Sequence, residues 1–148
     1  MASLPYNRGL LRLGTYGWLG PQAIGVMLVK NTYVFSRLHN YVSDVVAHEA
    51  AGTGYNRIAS IVGSRTAVED DINNAAILGV ADGTLTWAAL NVGLDVRVVT
   101  FFLGAGGLGG IDGELLCYYD SGSGVPLNTI GGSVSLGFSA NGAIRFEG

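Results

Sequence analysis

Short runs of β-branched and aromatic residues recur along the chain, each closed by glycine, asparagine or aspartate, and this spacing predicts many short strands joined by tight turns. Strands are predicted near Ala23 to Lys30, Arg57 to Val62, Thr66 to Asp70, Ala75 to Val80, Thr84 to Trp87, Asp95 to Leu103, Glu114 to Tyr119, Ser133 to Phe138 and Ala143 to Phe146. Asn73-Asn74, Ala81-Asp82-Gly83 and Asn141-Gly142 supply residues that tolerate positive φ, so each is a predicted hairpin turn. Leu38, Tyr41, Val42 and Val45 recur at spacings of three and four, which predicts one short amphipathic helix within Leu38 to His48. Residues 1–22 follow neither period. They carry Tyr6, Tyr16 and Trp18 among Pro5, Gly9, Gly14, Gly17, Gly20 and Pro21, and read as an extended N-terminal arm preceding a domain over 23–148. The expected fold is all-β: a single β-sandwich or jelly-roll-like domain with one short helix and that arm.

Composition sharpens the picture. Of 148 residues 24 are glycine, without a three-residue period, which favours turns over helices. Charged residues are 13% of the chain and hydrophobic residues 49%, against about 25% charged in an average globular domain. So sparse a charge points to a membrane or to a large permanent protein interface. The best apolar run, Ala23 to Val29, is far short of the roughly 20 residues of a spanning helix, and Asp95 and Arg97 interrupt the segment Val92 to Leu103. No membrane partner is expected. A net charge of -3 with a single lysine, Lys30, argues against nucleic acid. No secretory leader follows Arg8 and Arg12, so synthesis in the cytoplasm is the expectation, and the single Cys117 rules out an intrachain disulfide.

Each group of residues able to carry chemistry also fits a plainer role. Gly104-Ala105-Gly106-Gly107-Leu108-Gly109 fits a dinucleotide fingerprint in spacing, but Gly110-Ile111-Asp112-Gly113 leads into a strand where the fingerprint needs a helix, so a glycine-rich loop is predicted and no cofactor. His39, Asp44, His48 and Glu49 cluster in sequence, yet Gly52 stands where a zincin would place its second histidine, so no metal is expected. Glu69, Asp70 and Asp71 read as the acidic end of an exposed strand, and Cys117 as a small core hydrophobe. The doublets Phe101-Phe102 and Tyr118-Tyr119 place one aromatic on each face of their strands, so these strands are expected to be buried on both sides, either by a partner subunit or by the N-terminal arm. No catalytic constellation emerges, and a non-enzymatic protein is expected.

Two blocks carry a resemblance. Val42-Ser43-Asp44-Val45, Glu49 and Gly52-Thr53-Gly54-Tyr55-Asn56-Arg57 form the first; Asp70-Asp71-Ile72-Asn73-Asn74-Ala75 followed by Ala81-Asp82-Gly83-Thr84-Leu85-Thr86-Trp87 forms the second. Together they resemble a pattern of small structural proteins of tailed bacteriophage virions, of the capsid decoration or cement kind. The likeness covers about Ala23 to Leu90, extends more loosely over Asp120 to Phe146, and departs at the long Gly104 to Gly113 loop. It implies a role in the virion and no active site: a subunit that binds the major capsid protein, reinforces the shell and associates with itself as a homotrimer, made in the host cytoplasm and resident in the capsid. The alternatives are a head-to-tail adaptor, tail or fibre-base protein, and a carbohydrate-binding β-sandwich acting through Trp18 or Trp87. The candidate interface residues are Tyr6, Leu10, Leu11, Leu13, Tyr16, Trp18 and Leu19, apolar side chains that the arm cannot bury by itself.

Overall fold

The computed structural model describes residues 2–59, 65–80, 84–121, 126–137 and 144–147. Every named strand pairs antiparallel with its neighbours. The largest sheet has the order β1 (Ala2–Pro5), β8 (Glu114–Ser121), β7 (Gly93–Phe102), β2 (Ile24–Val29), β3 (Ile58–Ala59), and β9 (Leu127–Thr129) pairs with the start of β7. A three-stranded sheet runs β11 (Ile144–Glu147), β5 (Ala75–Val80), β4 (Arg65–Asp70), and a two-stranded one pairs β10 (Val134–Gly137) with β6 (Thr84–Trp87). Among the described residues the fold is mostly β with one α-helix, and the sheets do not close into a barrel. The predicted turns at 81–83 and 141–142, and the strand residues 60–62, Phe138 and Ala143, lie outside the described residues. At the β4–β5 turn Asn74 adopts φ 50°, as its residue type allows.

The large sheet is apolar on both faces because its central strands alternate between two cores. From β2, Ile24, Val26 and Leu28 enter the first core; Met27 and Val29 enter the second. From β7, Val96, Val98 and Phe102 join the first and Val99 and Phe101 the second. In β8 a register shift lies opposite Thr100 and Phe101, so both Leu116 and Cys117 face the first core while Leu115 and Tyr118 face the second. The first core is closed by the two small sheets through Leu85, Trp87, Leu136 and Ile144, giving sheet-on-sheet packing. The second is closed by the connection between β2 and β3 through Tyr33, Val42 and Val45, and by Tyr6. Both burying surfaces come from the chain itself.

Two expectations are corrected here. No amphipathic α-helix forms within 38–48; the segment makes two 3-10 turns, Val42–Asp44 and Val46–His48. The Asp44 carboxylate accepts hydrogen bonds from the backbone N–H groups of Asn40 and Tyr41, at 2.8 and 3.0 Å, which favours a tight capped turn over a continuing helix. The spacing of three between the buried Val42 and Val45 fits the 3-10 repeat as well as the α-helical one.

Nor is the N-terminal segment an extended arm. Residues 2–16 form β1 and then helix α1 (Asn7–Tyr16), with Pro5 outside the helix and Gly17, at φ 72°, ending it. The expectation that the glycines forbid a helix fails because Gly9 is the point of contact with β8. A Cβ there would lie 2.4 Å from the carbonyl oxygen of Leu116, so only glycine lets the helix approach so closely, and packing overrides propensity. Gly14, by contrast, has open space around it. Gly9→Ala should therefore destabilise the protein by about 1–3 kcal/mol through overpacking, whereas Gly14→Ala should stabilise it by about 0.5–1 kcal/mol through helix propensity. Urea unfolding of the two variants beside the parent checks both signs.

Candidate interaction surface

The surface is built from α1 outward. With Gly9 against β8, Leu13 and Tyr16 lie on the packed side of the helix, against the first core, and the Tyr16 ring meets Phe102 edge-on at 5.4 Å. Arg8 and Arg12 flank that side. Both guanidinium groups donate to Oε2 of Glu114 at the start of β8, Arg12 at 2.6 Å, and Tyr16 donates to Oε1 at 3.2 Å. Arg8 also donates to the Tyr41 hydroxyl at 2.8 Å, and each arginine lies over a tyrosine ring, Tyr41 at 5.1 Å and Tyr16 at 5.0 Å. The opposite side of α1 carries Leu11, with Leu10 on its flank and Leu19 just beyond the helix end; Leu10 is 37%, Leu11 57% and Leu19 63% exposed.

The seven candidate interface residues therefore separate. Tyr6 and Trp18 are buried in the chain's own two cores and are not available to a partner. The Tyr6 hydroxyl bonds to that of Tyr33 at 2.9 Å, and the Trp18 indole donates to the Gly79 carbonyl at 3.2 Å beneath the Arg65 guanidinium. Leu13 and Tyr16 are half-buried against the first core. Leu10, Leu11 and Leu19 remain exposed. The fraction each spent on its own core was hidden from sequence because the glycine that seats the helix looks like a helix breaker.

A second polar network braces the far end of the large sheet. Arg57 grips the Glu49 carboxylate with two parallel hydrogen bonds of 2.7 Å and donates onward to the carbonyls of Leu108, at 3.0 Å, and Gly110, at 2.7 Å. Tyr55 donates to Glu49 at 2.7 Å and accepts from the Leu28 N–H at 3.1 Å. The chain reaches this network through Gly54, at φ 78°, where a Cβ would stand 2.0 Å from the Ala89 carbonyl oxygen. The Gly104–Gly113 loop is thus held from outside by Arg57 and from inside by Asp112, whose carboxylate accepts from the Gly106 N–H at 3.1 and 3.2 Å. Cβ atoms at Gly104, Gly106 or Gly110 would come within 2.8 Å of that carboxylate, which accounts for the glycines without a phosphate ligand. A shallow recess of about 410 Å³ lies between Glu49, Arg57 and Leu108, and Arg57 already fills its polar side.

The other sequence candidates fall apart in space. His39 bonds the Tyr33 hydroxyl through Nδ1 at 2.8 Å, His48 lies 3.3 Å from Thr32 Oγ1, and Glu49 turns to Arg57. Among the described residues no group of three acidic, histidine or cysteine side chains is placed to hold a metal. Asp70 closes the β4–β5 turn by accepting from the backbone and side-chain N–H groups of Asn73, at 3.2 and 2.8 Å. Cys117 is buried, and burial pushes its thiol up to about 12, so it stays protonated and unreactive. Trp87 is buried and donates its indole N–H to the Asn56 carbonyl at 2.8 Å, so neither it nor Trp18 offers a face for a sugar. No helix among the described residues is long and apolar enough to cross a membrane. Comparison with protein-family models, with curated proteins and with solved structures gives no match.

Three carboxylates are held below their ordinary range. For Glu114 partial burial opposes ionisation, but the hydrogen bonds from Arg12 and Arg8 outweigh it; the same balance holds for Glu49 with Arg57 and Tyr55, and Asp44 is lowered by the two backbone N–H groups it caps. A carboxyl lowered in the folded state contributes stability above its unfolded pKa and loses it as pH falls through the folded one. The unfolding midpoint should therefore be flat above about pH 5 and fall below about pH 4, and Glu114→Gln should lower the plateau while weakening the acid dependence. Thermal melts across pH 2–8 of parent and variant, read by circular dichroism, check this.

Proposed function

We propose that this chain is a non-enzymatic structural protein of a tailed-phage virion, a capsid decoration protein that binds the coat-protein shell and reinforces it as a homotrimer. The observation that carries the reading is the outer side of α1. Leu10, Leu11 and Leu19 stay exposed on a helix fixed to the sheet by the Gly9 contact and the Glu114 clamp, in a chain with only 13% charged residues. A rigid apolar surface loses little freedom on docking, so its burial converts efficiently into affinity. The resemblance of the 42–57 and 70–87 blocks to phage structural proteins points the same way, and a jelly-roll topology is the finer reading of the fold that goes with it. On this reading the chain is made in the host cytoplasm, resides in the capsid, and contacts the major capsid protein and its own sister copies, without membrane or nucleic acid as partner.

The test uses heads of the phage that encodes the chain, assembled without it. Purified chain should co-sediment with these heads, and Leu11→Asp, a change at an exposed position, should weaken binding on the order of tenfold or more, whether the roughly 1.5–3 kcal/mol of apolar burial it removes is made against the shell or against a sister copy in the homotrimer that binds it. Failure of the parent chain to bind heads, or undiminished binding by the variant, contradicts the proposal. Binding confined to necks or tails would move the protein to a head-to-tail or tail position.

A further inference from the structure

The chain carries a second exposed apolar feature whose charge is opposite to that of the α1 surface. Ile72, at the apex of the β4–β5 hairpin, is 95% exposed, and Val68 on β4 is more than half exposed. An apolar apex of this kind is held in place: Asp70 accepts two hydrogen bonds from Asn73 and Asn74 takes φ 50°. The hairpin base is fixed too, by the Trp18 indole bond to Gly79 and by the Arg65 contact with the Gly20 carbonyl. From Arg65 to Asp70 the strand rises about 3.3 Å per residue, so the apex stands about 17 Å from that anchored base. Residues 66–80 contain Glu69, Asp70 and Asp71 and no basic residue.

The α1 surface has the complementary character. The Asn7 N–H donates to the Arg37 backbone carbonyl at 3.2 Å, which sets the exposed Arg37 and Leu38 beside the first turn of the helix bearing Leu10 and Leu11. Arg8 and Arg12 there share a single carboxylate, Glu114, and the exposed Arg37 adds a third positive charge beside them. The asymmetry runs through the whole sequence: residues 1–48 hold four Lys and Arg against one acidic residue, and residues 49–148 hold four against ten, which together make the 8 and 11 of the full chain. Since Ile72 and Leu11 are both exposed in one chain, neither surface covers the other within it.

We propose that the occupant of the α1 surface is a second copy of this chain, contributing its β4–β5 hairpin, with Ile72 seated against Leu10 and Leu11 and the acidic hairpin facing Arg8, Arg12 and Arg37. This rests on the reading of the α1 surface as a contact surface and names its partner. Two different patches that fit each other make a head-to-tail contact, which repeats from copy to copy and closes into a ring when the rotation permits. Charge of opposite sign on the two patches sets the register and disfavours hairpin-to-hairpin and helix-to-helix pairing.

The test needs no phage particle. Ile72→Asp removes the hairpin apex and Leu11→Asp removes the helix surface, both at exposed positions where circular dichroism should report an unchanged fold. The parent chain should be oligomeric by light scattering, each variant alone should be monomeric, and an equimolar mixture of the two should form a one-to-one dimer, because one intact hairpin and one intact helix surface remain. A monomeric parent, a variant that stays oligomeric alone, or a mixture that stays monomeric overturns the proposal. The outcome is separable from the proposed virion role: an oligomer assembled in this way that ignores phage heads contradicts the virion role alone, and a monomer that binds heads contradicts the ring and the homotrimer but leaves the virion role standing.

Discussion

A sheet that is apolar on both faces has to be covered twice, and the rest of the structure follows from how this chain does so. In β2 every residue from Ile24 to Val29 is buried, and β7 and β8 continue both faces with Val98, Val99, Phe101, Leu115 and Tyr119. An antiparallel sheet usually leaves one face to water. Here one face takes two small sheets and the other takes the long connection after β2, so that connection is structural and its 3-10 turns are the form in which Val42 and Val45 reach the core. Backbone hydrogen bonds hold it in place, from Val42 and Ser43 to the carbonyls of Gly113 and Ile111 and from Ala50 to that of Leu28.

The same requirement explains the placement of the scarce charges and of several glycines. Glu114 and Glu49 each sit at a margin of the large sheet and each is met by arginine: the Glu114 pairs join α1 to β8, and Arg57, paired with the nearby Glu49, ties the Gly104–Gly113 loop by hydrogen bonds to its carbonyls. Gly25 and Gly113 give the Phe101 ring its place over the sheet, since a Cβ at either would come within 2.7 Å of it. Glycine in this chain serves close approach at least as much as turning.

Much of the fold was legible because strand signals are local. The period of two and the flanking turn residues place β2, β4, β5, β6, β7 and β8 within a few residues of where they lie, and the Phe101-Phe102 and Tyr118-Tyr119 doublets foretold burial on both faces. What was not legible depends on contacts between distant residues. Helix α1 exists because Gly9 meets Leu116, and no window around Gly9 contains that information. Strand β9 is three residues long and defined by its pairing with β7, at a place where Asp95 adopts φ 59°. Apolarity does not say which of the seven candidate interface residues stay at the surface: the cores claim Tyr6 and Trp18, Leu13 and Tyr16 are half-buried, and Leu10, Leu11 and Leu19 are exposed.

The N-terminal segment therefore has two roles on its two sides. Inward it closes the cores with Tyr6 and Trp18, extends the sheet edge with β1 and neutralises Glu114; outward it presents the apolar surface on which the proposed role rests. The measurement that tests this most directly is the unfolding of a chain lacking residues 1–21. Without Tyr6, Trp18 and both arginine partners of Glu114, it should lack the cooperative thermal transition that circular dichroism should show for the full chain, and should expose apolar surface to a hydrophobic dye. A truncated chain that keeps the β spectrum and melts cooperatively within a few degrees of the full chain would contradict the account, returning residues 1–21 to the status of a separable arm.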